Sequence, residues 1–250
     1  MTPTIVLLVV AALIVGFSKT AIGGLAMISV AIYASIMPAR ESTAALLLVL
    51  IVGDVFAVWH YRKECDWAIL RRLVPAVLPG ILLGAVFLAL VDDAVLRKSI
   101  GALLLALAVH QLWLLRRRPR ATEPDPTAAP PRHSWLAAAG AGVGAGFTTM
   151  AANAGGGVMT LYLTAQGVEK LRFLGTGALF FFGINLSKLP FSAALGLFSG
   201  AMFRQALWLV PVVWLGAWLG LHAARRLSET WFSVAVVAVT AISAVPLLIG

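Results

Sequence analysis

The chain has 250 residues, 61% of them apolar and 12% charged, with a mean hydropathy of +0.96 and a formal net charge of +9. A soluble domain carries roughly 45–50% apolar and about 25% charged residues, so this composition excludes a water-soluble globule and implies a chain embedded in lipid. The positive charge does not argue for nucleic acid: the lysines and arginines sit in short stretches between apolar runs, where they orient a membrane protein against the bilayer.

In chain order, Thr4 to Phe17 is the first apolar run. It lacks the basic start and the small-x-small cleavage site of a signal peptide, so it is expected to stay in the mature protein. The predicted elements of the first half are a short helix (4–17), a glycine-containing break (18–24), a second short helix (25–37) and three full spans (43–60, 73–91 and 96–115). Leu73 to Val91 carries no full charge. At about 1.5 Å per residue it can cross a hydrocarbon core of about 30 Å. Residues 116–134, RRRPRATEPDPTAAPPRHS, are too rich in proline and charge to lie in lipid and read as a linker. The second half repeats the pattern: 135–147, a break at 148–157, 158–167, then spans at 173–191, 205–222 and 230–249.

The halves resemble each other in detail. Gly16-Phe17-Ser18 opens one break and Gly146-Phe147-Thr148 the other; Pro79-Gly80 with Gly84 matches Pro211 with Gly216 and Gly220. The predicted organisation is therefore a first membrane repeat (1–115), a cytoplasmic linker (116–134) and a second membrane repeat (135–250). The two helices around each break are short, and each pair reads as a hairpin that dips into the bilayer. With the linker in the cytoplasm, thirteen of the 19 lysines and arginines fall in cytoplasmic loops, Arg40, Arg97, Lys98 and Arg204 fall outside, and Lys19 and Lys188 remain in the membrane. That asymmetry obeys the positive-inside rule. A returning hairpin plus three spans makes an odd number of crossings, so the expected fold is an all-α integral membrane protein of two inverted repeats.

The breaks are the main candidate site. Backbone that leaves helical form in hydrocarbon survives only where protein or a water-filled cavity satisfies it. The helix that follows each break presents its free amides and positive dipole end inside the membrane, which suits an anion. The candidate binding residues are Ser18, Lys19, Gly23 and Gly24 at the first break and Asn153, Gly155, Gly156 and Gly157 at the second. Asn185 and Lys188 join them from a later span. A buried ammonium is costly in lipid, so Lys19 is expected to serve a ligand. Lys188, nearer a helix end, could instead snorkel to the interface. Asp54 is the acid placed well inside a span, and two roles stay open for it: proton coupling or an ion pair with Lys19. His60 and His110 read as interface residues rather than haem ligands. Trp214 and Trp218, mid-span on one helical face, read as packing residues. No phosphate loop, zinc motif or nucleophile elbow occurs, so no cofactor, metal or catalytic residue is expected. Cys65, the single cysteine, can form no disulfide within the chain.

Four stretches, GFSKTAIGG (16–24), VWHYRKECDWAILRRLVPAVLPGILLGA (58–85), GFTTMAANAGGGVMTLYLTAQGV (146–168) and NLSKLPFSAALGLFS (185–199), together resemble the sulfite exporter TauE/SafE family of bacterial membrane permeases, over essentially the whole chain. The resemblance implies a permease of the bacterial inner membrane, with sulfite, thiosulfate, a sulfonate such as sulfoacetate, or a related small anion as substrate. The first break holds two consecutive glycines where the family often has more, and the prolines common after its glycine runs are missing. The expected function is secondary transport of a small, sulfur-containing anion by alternating access. An anion channel, a membrane enzyme and a cytochrome are the competing classes.

Overall fold

The computed structural model describes residues 3–21, 25–117, 135–166 and 168–223. Among them are nine α-helices: α1 (Pro3–Thr20), α2 (Ala26–Ile36), α3 (Ala39–Tyr61), α4 (Trp67–Leu90), α5 (Asp93–Arg117), α6 (Trp135–Ala152), α7 (Gly155–Ala165), α8 (Lys170–Ala194) and α9 (Gly200–Ala223). A single 3-10 turn, Arg62–Glu64, follows α3. The expected span at 230–249, most of the linker, and Gly23 and Gly24 lie outside the described residues.

Among the described residues four helices, α1, α3, α4 and α9, are long and apolar enough to cross a membrane. At 18 residues, α1 is roughly 27 Å long. This corrects the expectation that it is too short to cross, whereas α2, with 11 residues, is short as expected.

Both breaks are narrower than the sequence suggested. Helix α1 continues through Ser18, Lys19 and Thr20 because its last turn is tied down: the Thr20 hydroxyl donates to the Ala217 carbonyl at 2.8 Å, and the Tyr61 hydroxyl donates to the Thr20 carbonyl at 2.9 Å. Helix α6 runs on to Ala152, with the Thr148 hydroxyl bonded back to the Gly144 carbonyl at 2.7 Å. The second break shrinks to Asn153 and Ala154, and Asn153 takes a left-handed φ of 53°. Asparagine tolerates that region better than most side chains. Gly155, Gly156 and Gly157 therefore open α7 instead of interrupting the helix.

Two parallel crossings hold the bundle together. Gly80 of α4 lies against the Val143 carbonyl of α6, and Gly146 of α6 lies against the Val77 carbonyl of α4. In the second crossing Gly16 of α1 meets the Val213 carbonyl of α9, while Gly216 of α9 meets the Leu13 carbonyl of α1. Small residues let helix backbones approach closely where hydrocarbon offers no hydrophobic drive to pack. Each half thus lends its first helix to the other half. Between these pairs α3 and α8 run antiparallel, with Gly175 against the Tyr61 carbonyl at one end.

The helix ends separate into two levels. At one lie Tyr61, Trp67, Trp135 and Lys170, with the end of α5. At the other lie Ala39 and Asp93, where the Asp93 carboxylate accepts from the Ala39 and Arg40 amides, both at 3.0 Å, and so caps α3. Leucines of α4 and residues of α9 form apolar outer faces. Trp214 and Trp218, read as packing residues, are 41% and 52% exposed on that surface, with Trp214 touching Phe56 edge-on.

Candidate functional site

Six polar side chains from both halves converge where α3 and α8 cross. Lys19, in the last turn of α1, places its Nζ 2.6 Å from Asp54 Oδ1; the lysine is 10% exposed and Asp54 fully buried. Gly53 makes room for this contact, since a Cβ there would stand 3.1 Å from Lys19 Cγ. The same ammonium lies 4.9 Å from the centre of the Phe181 ring, within cation–π range. On the far side of Asp54, the Asn185 amide donates to Oδ2 at 2.6 Å.

Asn185 and Lys188 are three residues apart on α8 and share a face. Lys188 Nζ donates to Asn153 Oδ1 at 2.5 Å, and to Thr149 Oγ1 and Asn185 Oδ1, both at 3.4 Å. The Asn153 amide in turn donates to the Thr43 carbonyl near the start of α3, at 2.9 Å. The result is a continuous polar chain from Lys19 through Asp54, Asn185, Lys188 and Asn153 to Thr43. Lys188 is 2% exposed, so the expectation that it snorkels is corrected: its α8 face points into the bundle, and its nitrogen is fully engaged there.

A cavity of about 60 Å³ adjoins this chain. A water needs roughly 10–15 Å³ on this measure, so there is room for a few waters or one small oxyanion. Its polar side includes Ser18, Lys19, Thr149, Asn153, Gly156, Thr160 and Asn185; Met27, Leu50, Met159 and Phe181 are among its apolar walls. The structure therefore brings together Ser18, Lys19, Asn153, Gly156 and Asn185 around one space. Lys188 stands behind Asn153 and Asn185 rather than in the wall. Gly155 packs against the Ala145 carbonyl and Thr149, and Gly157 against Leu107. The Ser18 hydroxyl accepts from the Ala26 amide at 3.1 Å, helping to cap α2.

Three participants escaped the sequence reading: Thr149, Phe181 and the Thr43 carbonyl. Thr149 could have been found, because aligning Gly16-Phe17-Ser18-Lys19 with Gly146-Phe147-Thr148-Thr149 sets it opposite Lys19. Nothing in the sequence marks the other two. His60 and His110 are both exposed, beside Tyr61 and Trp113 respectively.

Apolar outer faces and membrane-length helices define a multi-pass membrane protein, and a polar cluster beside a cavity lies where α3 and α8 cross. Residues 8–247 match the family described as Sulfite exporter TauE/SafE, and the chain belongs to that family of membrane transporters, which are not enzymes. No curated protein and no solved structure matches the chain.

Proposed function

We propose that the protein is a secondary transporter of a small anion, a sulfur-containing oxyanion or organosulfonate of the sulfite, thiosulfate or sulfoacetate type, working by alternating access in the bacterial inner membrane. The observation that carries this reading is the charge of the polar centre. Among the described residues, and with ordinary ionisation, it holds two ammoniums, Lys19 and Lys188, and one carboxylate, Asp54, and so is one anion short of neutrality. An ammonium held in hydrocarbon without a counter-ion costs several kcal/mol. A monoanion in the adjoining cavity removes that cost, and the α7 amides at Gly155 and Gly156 add partial positive charge at the helix start.

An inverted-repeat reading of the helix directions supports alternating access. Helix α1 runs parallel to α9, α6 runs parallel to α4, and α3 is antiparallel to α8. The first helices of the two halves therefore point in opposite directions, as an inverted duplication requires. Asp54 and Asn185, 131 positions apart, meet where the two halves cross. The Asn153 link to Thr43 closes the cavity on the Ala39 side, while Phe173 and Leu174 line it toward the Tyr61 end. We read this conformation as inward-facing, with Asp54 as the group that couples transport to protons.

The test is anion binding by Lys19→Ala, measured by titration of the purified protein with sulfite, thiosulfate and sulfoacetate. The variant is expected to bind at least tenfold more weakly, about 1.4 kcal/mol. Lys19→Arg should restore only part of the loss, because a guanidinium is larger and planar. Binding by Lys19→Ala equal to the parent would place the anion elsewhere.

A further inference from the structure

Charge and access are mismatched in the polar centre. Lys19 lines the cavity, but its ammonium already touches a carboxylate at 2.6 Å. Among the described residues Lys188 meets only neutral acceptors, on Asn153, Thr149 and Asn185, and it is 2% exposed behind the cavity wall. An entering anion therefore meets the cation that is already neutralised, while the cation lacking a counter-ion is out of reach. Asn185 bridges the two, donating to Asp54 at 2.6 Å and accepting from Lys188 at 3.4 Å.

We propose that Asp54 is a resident counter-anion which the substrate displaces: the incoming anion takes Lys19, and the Asp54 carboxylate crosses Asn185 to pair with Lys188. This rests on the anion-transport reading and specifies how the site accepts its cargo. Before exchange there are two cations and one anion; afterwards two cations face two anions, and both ammoniums are paired. A monoanion balances the site with no proton taken up. A dianion leaves one negative charge in excess, which a single proton on Asp54 removes. The number of protons moved is thus set by the charge of the substrate. The titratable groups that face Asp54 are Lys19 from α1 and Lys188 from α8, while α9 brings Val213 to the neighbouring Gly53.

The exchange also reaches the closed side of the cavity. When Lys188 turns to the carboxylate it releases Asn153 Oδ1, and the other end of that amide holds the Thr43 carbonyl. Occupancy of Lys19 is in this way transmitted to the contact that joins the α6–α7 break to α3.

The test is calorimetric titration of the purified full-length protein with sulfite and with methanesulfonate, a monoanion. Lys188→Gln leaves Lys19 and Asp54 as a self-neutralised pair, and its affinity is expected to fall at least about tenfold although Lys188 does not line the cavity. The double variant Asp54→Asn with Lys188→Gln leaves Lys19 as one unpaired, accessible ammonium, and its affinity is expected to return to within about threefold of the parent. If Lys188 only held Asn153 in place, the double variant would bind at least as weakly as the single one; that result, or parental binding by Lys188→Gln, overturns the exchange. Should Lys188→Gln fail to fold, infrared difference spectra of the wild-type protein decide. Sulfite addition is expected to shift a buried carboxylate stretch, and an unchanged band overturns the proposal. Wild-type protein that binds neither anion overturns the transport reading and the exchange with it, an outcome distinct from a loss confined to the variants.

Discussion

Lys19 and Lys188 carry the same charge inside the same apolar bundle, and their neighbours make them different. One touches a carboxylate and a cavity; the other is enclosed by two asparagines and a threonine. Asp54 decides which lysine is neutralised, and Asp54→Asn therefore tests its coupling role. The variant keeps a hydrogen-bonding group toward Asn185 and is expected to transport in reconstituted vesicles with its dependence on a proton gradient lost. Unchanged dependence on pH would leave Asp54 as a structural partner of Lys19. The sequence marked Lys19, Asp54 and Asn153 because charged or amide groups stand out in apolar runs and beside glycines. It undervalued Lys188, whose place near a helix end suggested escape to the interface. Which face of α8 looks inward is settled by packing against α3 and α4, and that information is spread over many residues far apart in sequence.

Glycine does opposite jobs in different helices. At Gly16, Gly80, Gly146 and Gly216 it brings two backbones into contact, and a Cβ at any of them would strike a carbonyl of the partner helix. At Gly140, on the exposed side of α6, a Cβ would meet nothing within 4 Å. Gly16→Ala and Gly146→Ala are accordingly expected to destabilise the protein by about 1–3 kcal/mol, the usual cost of overpacking. Gly140→Ala should leave it unchanged or slightly firmer, since alanine favours helix by up to about 1 kcal/mol. Thermal unfolding of the detergent-solubilised variants checks the order, and equal midpoints for Gly16→Ala and Gly140→Ala would refute the close-crossing account. The same residues show what was legible at this scale. The matching Pro79-Gly80 and Pro211 with Gly216 signalled that α4 and α9 are equivalent, and both make parallel glycine crossings. The runs at Ser18 and at Gly155 to Gly157 were read as breaks because glycine and small polar residues weaken helices in isolation. Tertiary hydrogen bonds at Thr20 and close packing of α7 on α6 outweigh that weakness here.

For the molecule as a whole, the two levels of helix ends turn the charge pattern into a topology. Arg62, Lys63, Arg71, Arg72, Lys170 and Arg172 gather at the Tyr61 level; Arg40, Arg97, Lys98 and Arg204 lie at or near the Ala39 level. We propose, on the positive-inside rule, that the Tyr61 level faces the cytoplasm; the α1–α2 hairpin would then enter from outside and the α6–α7 hairpin from inside. Cys65 reports on this directly, since it is the single cysteine of the chain and lies half-buried just after the turn that ends α3. A membrane-impermeant maleimide is expected to label it in inside-out membrane vesicles and to spare it in right-side-out ones. Burial pushes the Cys65 thiol above its usual range. The thiolate is the reactive form, so at neutral pH labelling should be slower than for an exposed cysteine, and it should keep accelerating above about pH 8.5, where an ordinary thiol is half ionised. Labelling confined to right-side-out vesicles would reverse the orientation of both hairpins, and with it the assignment of the cavity to the cytoplasmic side.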